Sequence, residues 1–549
     1  MNKTPSYLTN IFSIILLALF TIIFVTENTN FINNNYKSSI ISTLEKNINL
    51  RIKIDDIDVE WNGLEPTIIF HKIKLIDKET NKEIISGESL ISKLDLYQSI
   101  IQNRFVPKEF NIINTKLSLK YSNRNLYFKN KNIFELKDKF FLEHKAQTDF
   151  SALTFRMTDS SIILNNLPYV DKYILQNMNL VIVSQDNNLK IFTTFNHSNI
   201  NEVVHIAADL NLTKNKKPTG TIYSRGVNLN LKKFPIEMKN IKTSAQSINY
   251  TLWSNLDKGE FKTLSGKVSA NSLDIYNRIT EKKLELTNIK SDLIYNSKNK
   301  TQSLLLNDFS FNTQSHNYSS NQFFLKIKNN RGTDLSFKSL QIIDFKNLLN
   351  VMPNISRKNI NKVLKNLKSG EVKNANFIDL NILKKMKFTF SFKNIQLITK
   401  NAKPSINNIS GNSTGTFTKG FLKLNSPNLG ITHEKFGDKE QIINLNALIN
   451  YRYKGNNLYM NAQNFTVNDL YKFNMSSSYH RNELDFRVTS NGKIEFLSKT
   501  INKYNIKSID KNLVLSGKYF IDIRGKNYLK KKNLYGVLEV SELGFFDKK

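Results

Sequence analysis

The chain has 549 residues, 40% of them hydrophobic, with 37 Phe and 21 Tyr, too apolar and aromatic a composition for a disordered polymer. It has no cysteine, which excludes disulfides, thiol nucleophiles, iron–sulfur clusters and Cys-based zinc sites together. The net charge is +33, but only 12 of its 79 basic residues are Arg, so the bidentate group that reads base edges is scarce and nucleic acid is not an expected partner.

Leu8 to Val25 (LTNIFSIILLALFTIIFV) carries no charge and is long enough to cross a bilayer core. Only Lys3 and the amino terminus precede it, and no A-x-A-like cleavage site follows, so residues 1–30 are expected to form an uncleaved transmembrane signal anchor. No second hydrophobic stretch of that length occurs, which places the bulk of the chain on one side of the membrane. Lys3 points weakly to an N-terminus on the inside. Tyr36 to Asn49 carries Ile40, Ile41, Leu44 and Ile48 at helical spacing and predicts one short amphipathic helix.

From residue 50 the dominant period is two, the mark of strands with one apolar and one wet face. Leu117, Leu119 and Tyr121 alternate with Lys116, Ser118 and Lys120. Val204, Ile206, Ala208, Leu210 and Leu212 share a face, as do Phe323, Leu325 and Ile327. Met386, Phe388, Phe390 and Phe392 oppose Lys387, Thr389, Ser391 and Lys393. Two helical interruptions are predicted. Lys131 to Lys145, with Phe134, Phe140 and Phe141, is one. The other, 342–370, places Leu348, Leu349, Val351 and Met352 before Pro353, then Ile360, Val363, Leu364 and Leu367 before Gly370 as C-cap.

The predicted fold class is mostly β: one long, continuous, antiparallel sheet with a few helical inserts. Its regions are 1–30 (anchor), 31–130, 131–341 (β), 342–370 (helical) and 371–549 (β). A sheet with one apolar face must pair with a second sheet, close into a barrel, or curl into a trough that receives something apolar. Alternation alone leaves these open, and ordinary sandwiches give the same pattern.

Residues 49–77 (NLRIKIDDIDVEWNGLEPTIIFHKIKLID) carry a strand, a Trp-x-Gly-Leu-x-Pro turn at Trp61, Gly63, Leu64 and Pro66, and an alternating strand. This segment resembles the N-terminal region of the AsmA-like inner-membrane proteins, and among them the YhdP group. Residues 88–121, Leu367 to Val372 and Ile406 to Gly411 are similar to further positions of that group. Its members look considerably longer, so the distal half of the family pattern is not expected in these 549 residues. The resemblance implies a bacterial inner-membrane protein projecting into the periplasm, whose open β-groove moves phospholipid toward the outer membrane. It favours the trough, and it marks Leu117, Leu119, Tyr121, Phe323, Leu325, Ile327, Met386, Phe388, Phe390 and Phe392 as groove candidates. A structural or envelope-assembly factor with a closed core is the second reading.

No catalytic constellation is expected, nor any metal or cofactor. The seven His form no H-x-H or H-E-x-x-H, and there is no Walker loop, G-x-S-x-G or G-x-G-x-x-G. Asp55, Asp56, Asp58 and Glu60 lack the EF-hand pattern and read as a solvated face or turn. His71, in phase with Ile69, Ile73 and Leu75, is expected to point inward with its hydrogen bonds satisfied. Trp61 and Trp253 are expected to pack in core or turn positions. The many Lys are expected on solvated strand faces, with a Lys rim for anionic headgroups as the second possibility.

Overall fold

The structure is a computed structural model. It describes residues 16–17, 20–21, 23, 33–35 and 37–48, and from 50 to 547 all except 63–64, 78–82, 102–106, 123–124, 129–130, 133–152, 168–169, 186, 198–201, 213–217, 232–235, 239–240, 299–300, 329–331, 352–365, 381–384, 399–404, 433–440, 456, 470, 481–482, 494–512 and 527–532. Of the expected anchor, the described residues Leu16, Leu17, Phe20, Thr21 and Ile23 are helical, and Thr21 Oγ1 donates to Leu17 O at 2.8 Å. Most of Leu8 to Val25 lies outside the described residues. Among those described, no helix is long and apolar enough to cross a membrane. The chain divides into two compact units, Met1–Met238 with Thr243–Leu273, and Lys239–Lys242 with Asp274–Lys549.

The first unit opens with the helix Lys37–Ile48, whose apolar side contributes Ile41 to a small core of Ile52, Ile54, Ile57, Phe70 and Ile73. Two side chains fix the entry. Glu45 Oε1 accepts from Ile52 N (2.7 Å), and Asn33 accepts from Ile57 N (2.9 Å) while donating to Ile57 O (3.2 Å). The strands Ile57–Asn62 and Glu65–His71 then form a hairpin that sets Trp61 directly opposite the buried Pro66. Gly63 and Leu64 lie outside the described residues.

The sheet of this unit is mixed, with two parallel pairings where antiparallel neighbours were expected. Pro107–Ile113 and Lys116–Ser122 both run parallel to the strand Leu153–Leu167, beside its first and second halves. The left-handed residue Asn114 (φ 51) joins these two strands end to end. Parallel neighbours need a long crossover, which the residues between 122 and 153 supply. Within that stretch Lys131–Asn132 is a strand paired with Tyr127 and Phe128, where a helix was expected. Phe134, Phe140 and Phe141 lie outside the described residues. From Leu153 onward the unit is an antiparallel meander through Val170–Gln185, Asn188–Asn196, Val203–Leu212, Pro218–Leu229 and Ile248–Asp257 to the strand that begins at Glu260.

The second unit is an antiparallel meander of fourteen described strands from Lys282–Lys298 to Asn533–Asp547. The helix Ile342–Val351 interrupts it. The later helical stretch expected around Ile360, Val363 and Leu364 lies outside the described residues, and Leu367 to Gly370 open a strand rather than close a helix. Gly370 has φ +117, and an added Cβ would sit 2.7 Å from Ile395 Cα. Glycine is needed there because a neighbouring strand passes close, not because a helix ends.

Within each unit, every substantial strand–strand contact among the described residues is between ladder neighbours. Among those residues no second sheet covers the apolar face of either. Bulges bend the strands instead. Asn288, Asp308, Ser320, Asn374, Asn394, Asn408 and Asn464 all have positive φ within strands of the second unit, most of them at register shifts. Asn and Asp tolerate this conformation better than other non-glycine residues, so the Asn-rich composition supplies what scarce glycine does not. Each such residue kinks its strand and turns the following side chains to the other face.

Candidate functional site

Residues opposite one another on adjacent strands share a face, so the ladder registers trace which side chains form one surface. In the second unit a single row runs Tyr295, Leu304, Leu325, Leu335, Phe377, Phe388, Gly415, Gly420, Tyr451, Met460, Ser477, Phe486, Gly525, Leu534. It crosses all fourteen strands, a path of about 60 Å at the usual strand spacing. The neighbouring row beyond Phe390 continues the character with Ser413, Leu422, Ile449, Ala462, Met475, Val488 and Ile523. The opposite face starts apolar with Ile294, Leu305 and Phe324 and is then polar apart from the exposed Phe421: Ser336, Asn376, Thr389, Thr414, Phe421, Asn450, Asn461, Ser476 and Arg487.

Burial tells which kind of surface the apolar face is. Leu335, Phe337 and Phe377 are buried where the helix Ile342–Val351 lies over the face. Beyond it the small residues Gly411, Ser413, Ala447 and Ala462 are buried, but the large Phe388, Phe390, Phe392, Leu422, Leu424, Ile449, Met460 and Met475 are only half-buried. A second layer would bury the large side chains first. Among the described residues they are shielded by same-face neighbours alone, and an apolar surface remains open.

The aromatic centre of the face is built from six phenyl rings. Phe388, Phe390 and Phe392 stand in line at 5.6 and 6.1 Å, and Phe390 stacks on Phe377 at 6.0 Å. Phe377 in turn meets Phe345 (5.7 Å) and Phe337 (6.3 Å). Glycines make room for rings on the adjacent strands. A Cβ on Gly411 would come within 3.0 Å of Phe392, one on Gly420 within 2.6 Å of the Tyr451 hydroxyl, and one on Gly525 within 2.3 Å of Phe486. The ring in each pair covers the backbone its glycine leaves bare.

The helix Ile342–Val351 lies against one end of this face, burying Ile342, Phe345, Leu349 and Val351. Both its ends are pinned. Asp344 in the first turn accepts from Tyr318 (2.6 Å), Ser315 (2.7 Å) and Thr313 (3.1 Å) through Oδ2. Burial and the Asp344 bond push the Tyr318 hydroxyl well above its ordinary value. At the other end the fully buried Asn277 donates to Val351 O (3.1 Å), and Thr280 donates to Asn350 O (2.9 Å). Lys346 donates to Leu367 O, and burial lowers its ammonium pKa.

The strands of the second unit turn on both edges, and one of the two hairpin edges is basic. Lys298, Lys328, Lys387, Lys419, Lys454 and Lys526 all stand at strand ends beside it, every one exposed. Lys387 is the residue before Phe388 and so points to the face opposite the phenyl row. On the wet face Arg487 and Arg524 both hold Asp522 (2.9 and 2.7 Å), and those two guanidinium groups bring its carboxyl down to about 2.

Each sequence-predicted residue now has a place. Phe323, Leu325 and Ile327 stand opposite Leu306, Leu304 and Gln302 on one side and Phe337, Leu335 and Thr333 on the other. Phe388, Phe390 and Phe392 share that face three strands further on. Met386 is buried, one residue before its strand. Leu117 and Leu119 belong to the first unit, clustered with Ile162, Leu164, Leu175, Met178, Leu180 and Phe195, while Tyr121 is half-buried opposite Leu126. The sequence reading missed Phe337 and Phe377. Phe377 follows the bulge at Asn374, which breaks the alternation that would have exposed it.

Two expectations are corrected. His71 does not point into the core. Its side chain is 40% exposed, on the face opposite the buried Phe70, with Nε2 2.8 Å from Asp58 Oδ2. The left-handed Lys72 (φ 48) resets the phase, so Ile73 is buried while His71 is not. Trp253 is not a core residue either. It is 53% exposed, because its even-numbered neighbours Leu252, Ser254 and Leu256 take the inner face. Among the described residues no group of three or more His, Asp and Glu is arranged to hold a metal ion.

Compared with known proteins, residues 1–511 match the model of the family described as YhdP protein. No curated protein matches the chain.

Proposed function

The chain belongs to the YhdP family, and from that premise we propose that it is a bridge-like lipid transfer protein, carrying phospholipid between inner and outer membrane along its apolar β face. The observation that carries this reading is the half-burial of Phe388, Phe390, Phe392, Leu422, Ile449, Met460 and Met475 on a face with no second sheet against it among the described residues. An acyl chain laid on that face leaves water at about 0.8 kcal/mol per CH₂ buried. Its headgroup stays in water at the edge, so no charge enters a low-dielectric region. The exposed Lys on the hairpin edge offer phosphates many weak point contacts instead of one tight site, which suits passage. Nothing in this process needs a covalent step or a cofactor, and the protein acts as no enzyme in it. Leu8 to Val25 serves as the inner-membrane anchor, with the sheets in the periplasm.

The other reading is a closed-core envelope-assembly factor, which needs a partner layer over these large half-buried side chains. Purification of the full chain in mild detergent followed by lipid mass spectrometry separates the two. Co-purified phospholipid, several molecules per chain, is expected. A lipid-free preparation rejects the conduit.

A further inference from the structure

The outward face of the first unit carries a second surface that the transport reading does not use. Cross-strand registers align Phe192, Ala207, Tyr223 and Trp253 in one row. This is the face opposite Ile191, Ala208, Ile222 and Leu256, which turn inward. Phe192 is 51% and Trp253 53% exposed, and the Tyr223 and Trp253 rings meet at 5.4 Å, tilted by 56°. Between Phe192 and Tyr223 the small Ala207 leaves a depression of about 400 Å³.

Both flanks of this aromatic floor are polar. On one side Lys190, Asp209, Thr221 and Asn255 are aligned in the next row, all exposed, and Asn255 donates to Thr263 Oγ1 at 2.9 Å. On the other side His205, Arg225, Thr251 and Lys267 are aligned. The floor spans about 14 Å from Phe192 to Trp253 at the usual strand spacing.

Flat aromatic faces bordered by amide, hydroxyl and carboxylate groups suit a ligand with apolar C–H faces and hydroxyl edges. An acyl chain is a poorer match, since it would leave the exposed Asp209, Thr221 and Asn255 beside it without a bonded group, whereas sugar hydroxyls supply one. We propose that the Phe192–Tyr223–Trp253 row is a saccharide-binding site, with sugar rings stacked on the aromatic floor and their hydroxyls bonded to Asp209, Thr221 and Asn255. A glycan is the chemical class it takes. The proposal holds or fails independently of lipid transport.

Calorimetric titration of the full chain with chitohexaose and with maltohexaose tests it. One of the two is expected to bind saturably, and Trp253→Ala and Asp209→Ala are each expected to weaken that binding about tenfold with unchanged thermal unfolding. Phe520→Ala, an exposed aromatic of the second unit, is expected to change nothing. If neither saccharide binds, or if Trp253→Ala binds as tightly as the unaltered chain, the site is misassigned. If phosphatidylglycerol vesicles bind through Trp253 and displace the sugar, the row is a membrane-contact surface and the proposal is overturned.

Discussion

Phe390→Asp is expected to give a folded protein that no longer carries lipid. Phe390 stands between Phe388 and Phe392, stacked on Phe377, on a face that no second sheet covers among the described residues. Losing its ring contacts costs about 1 kcal/mol for each aromatic pair. In a closed core the new carboxylate would add several kcal/mol more, because it would be buried without a partner. On an open face it turns to water and that larger cost does not arise. Acyl chains, however, would have to pass a hydrated charge at the centre of the phenyl row. Thr389→Asp puts the same charge on the opposite, exposed face and is expected to be silent. Thermal unfolding and phospholipid content, measured side by side on the two variants, check this. If Phe390→Asp unfolds the protein, or if it folds and keeps its lipid, this face is not the lipid path.

Asp344→Ala is expected to release the helix Ile342–Val351 from the sheet. One carboxylate oxygen accepts three hydroxyl donors from the turn and strand that begin at Thr313, and the same residue supplies negative charge to the helix's first turn. Charge-assisted bonds of this kind are worth about 1.5–3 kcal/mol each and do not add fully, so a loss of about 3 kcal/mol is expected. Tyr318→Phe removes one donor and keeps the carboxylate, and should cost less, about 1 kcal/mol. Urea unfolding ranks the two. Limited trypsin digestion locates the effect, since Lys346 on the helix should become cleavable in Asp344→Ala and stay protected in Tyr318→Phe. Equal stability of both variants would mean that the Asp344 carboxylate does not hold the helix.

The strand content and the apolar face of Phe388, Phe390 and Phe392 were legible because no bulge falls between those residues. Legibility ended at Asn394 (φ 54). Strict alternation carries the inner face on to positions 394 and 396, but the buried residue is Ile395, because a left-handed residue turns the chain over. Lys72 between His71 and Ile73 misled the reading for the same reason. Gly370 looked like a helix cap because a helical pattern preceded it, whereas the close approach of Ile395 dictates it. Parallel pairing of Leu153–Leu167 depends on where a long crossover returns, which no local pattern encodes. Trp253 was legible and was misjudged. Tyr250, Leu252, Ser254 and Leu256 mark the inner face by their spacing, and the size of Trp outweighed its phase.

Photo-crosslinking in living cells tests the central claim most directly. A photoreactive amino acid is placed in turn at Phe388, Phe390, Met460 and Met475 on the apolar face, and at Thr389, Asn461 and Ser476 on the wet face of the same strands. Irradiation is expected to attach phospholipid at the first four positions and not at the last three. Equal labelling of both faces, or labelling of neither, would contradict a lipid path along this sheet.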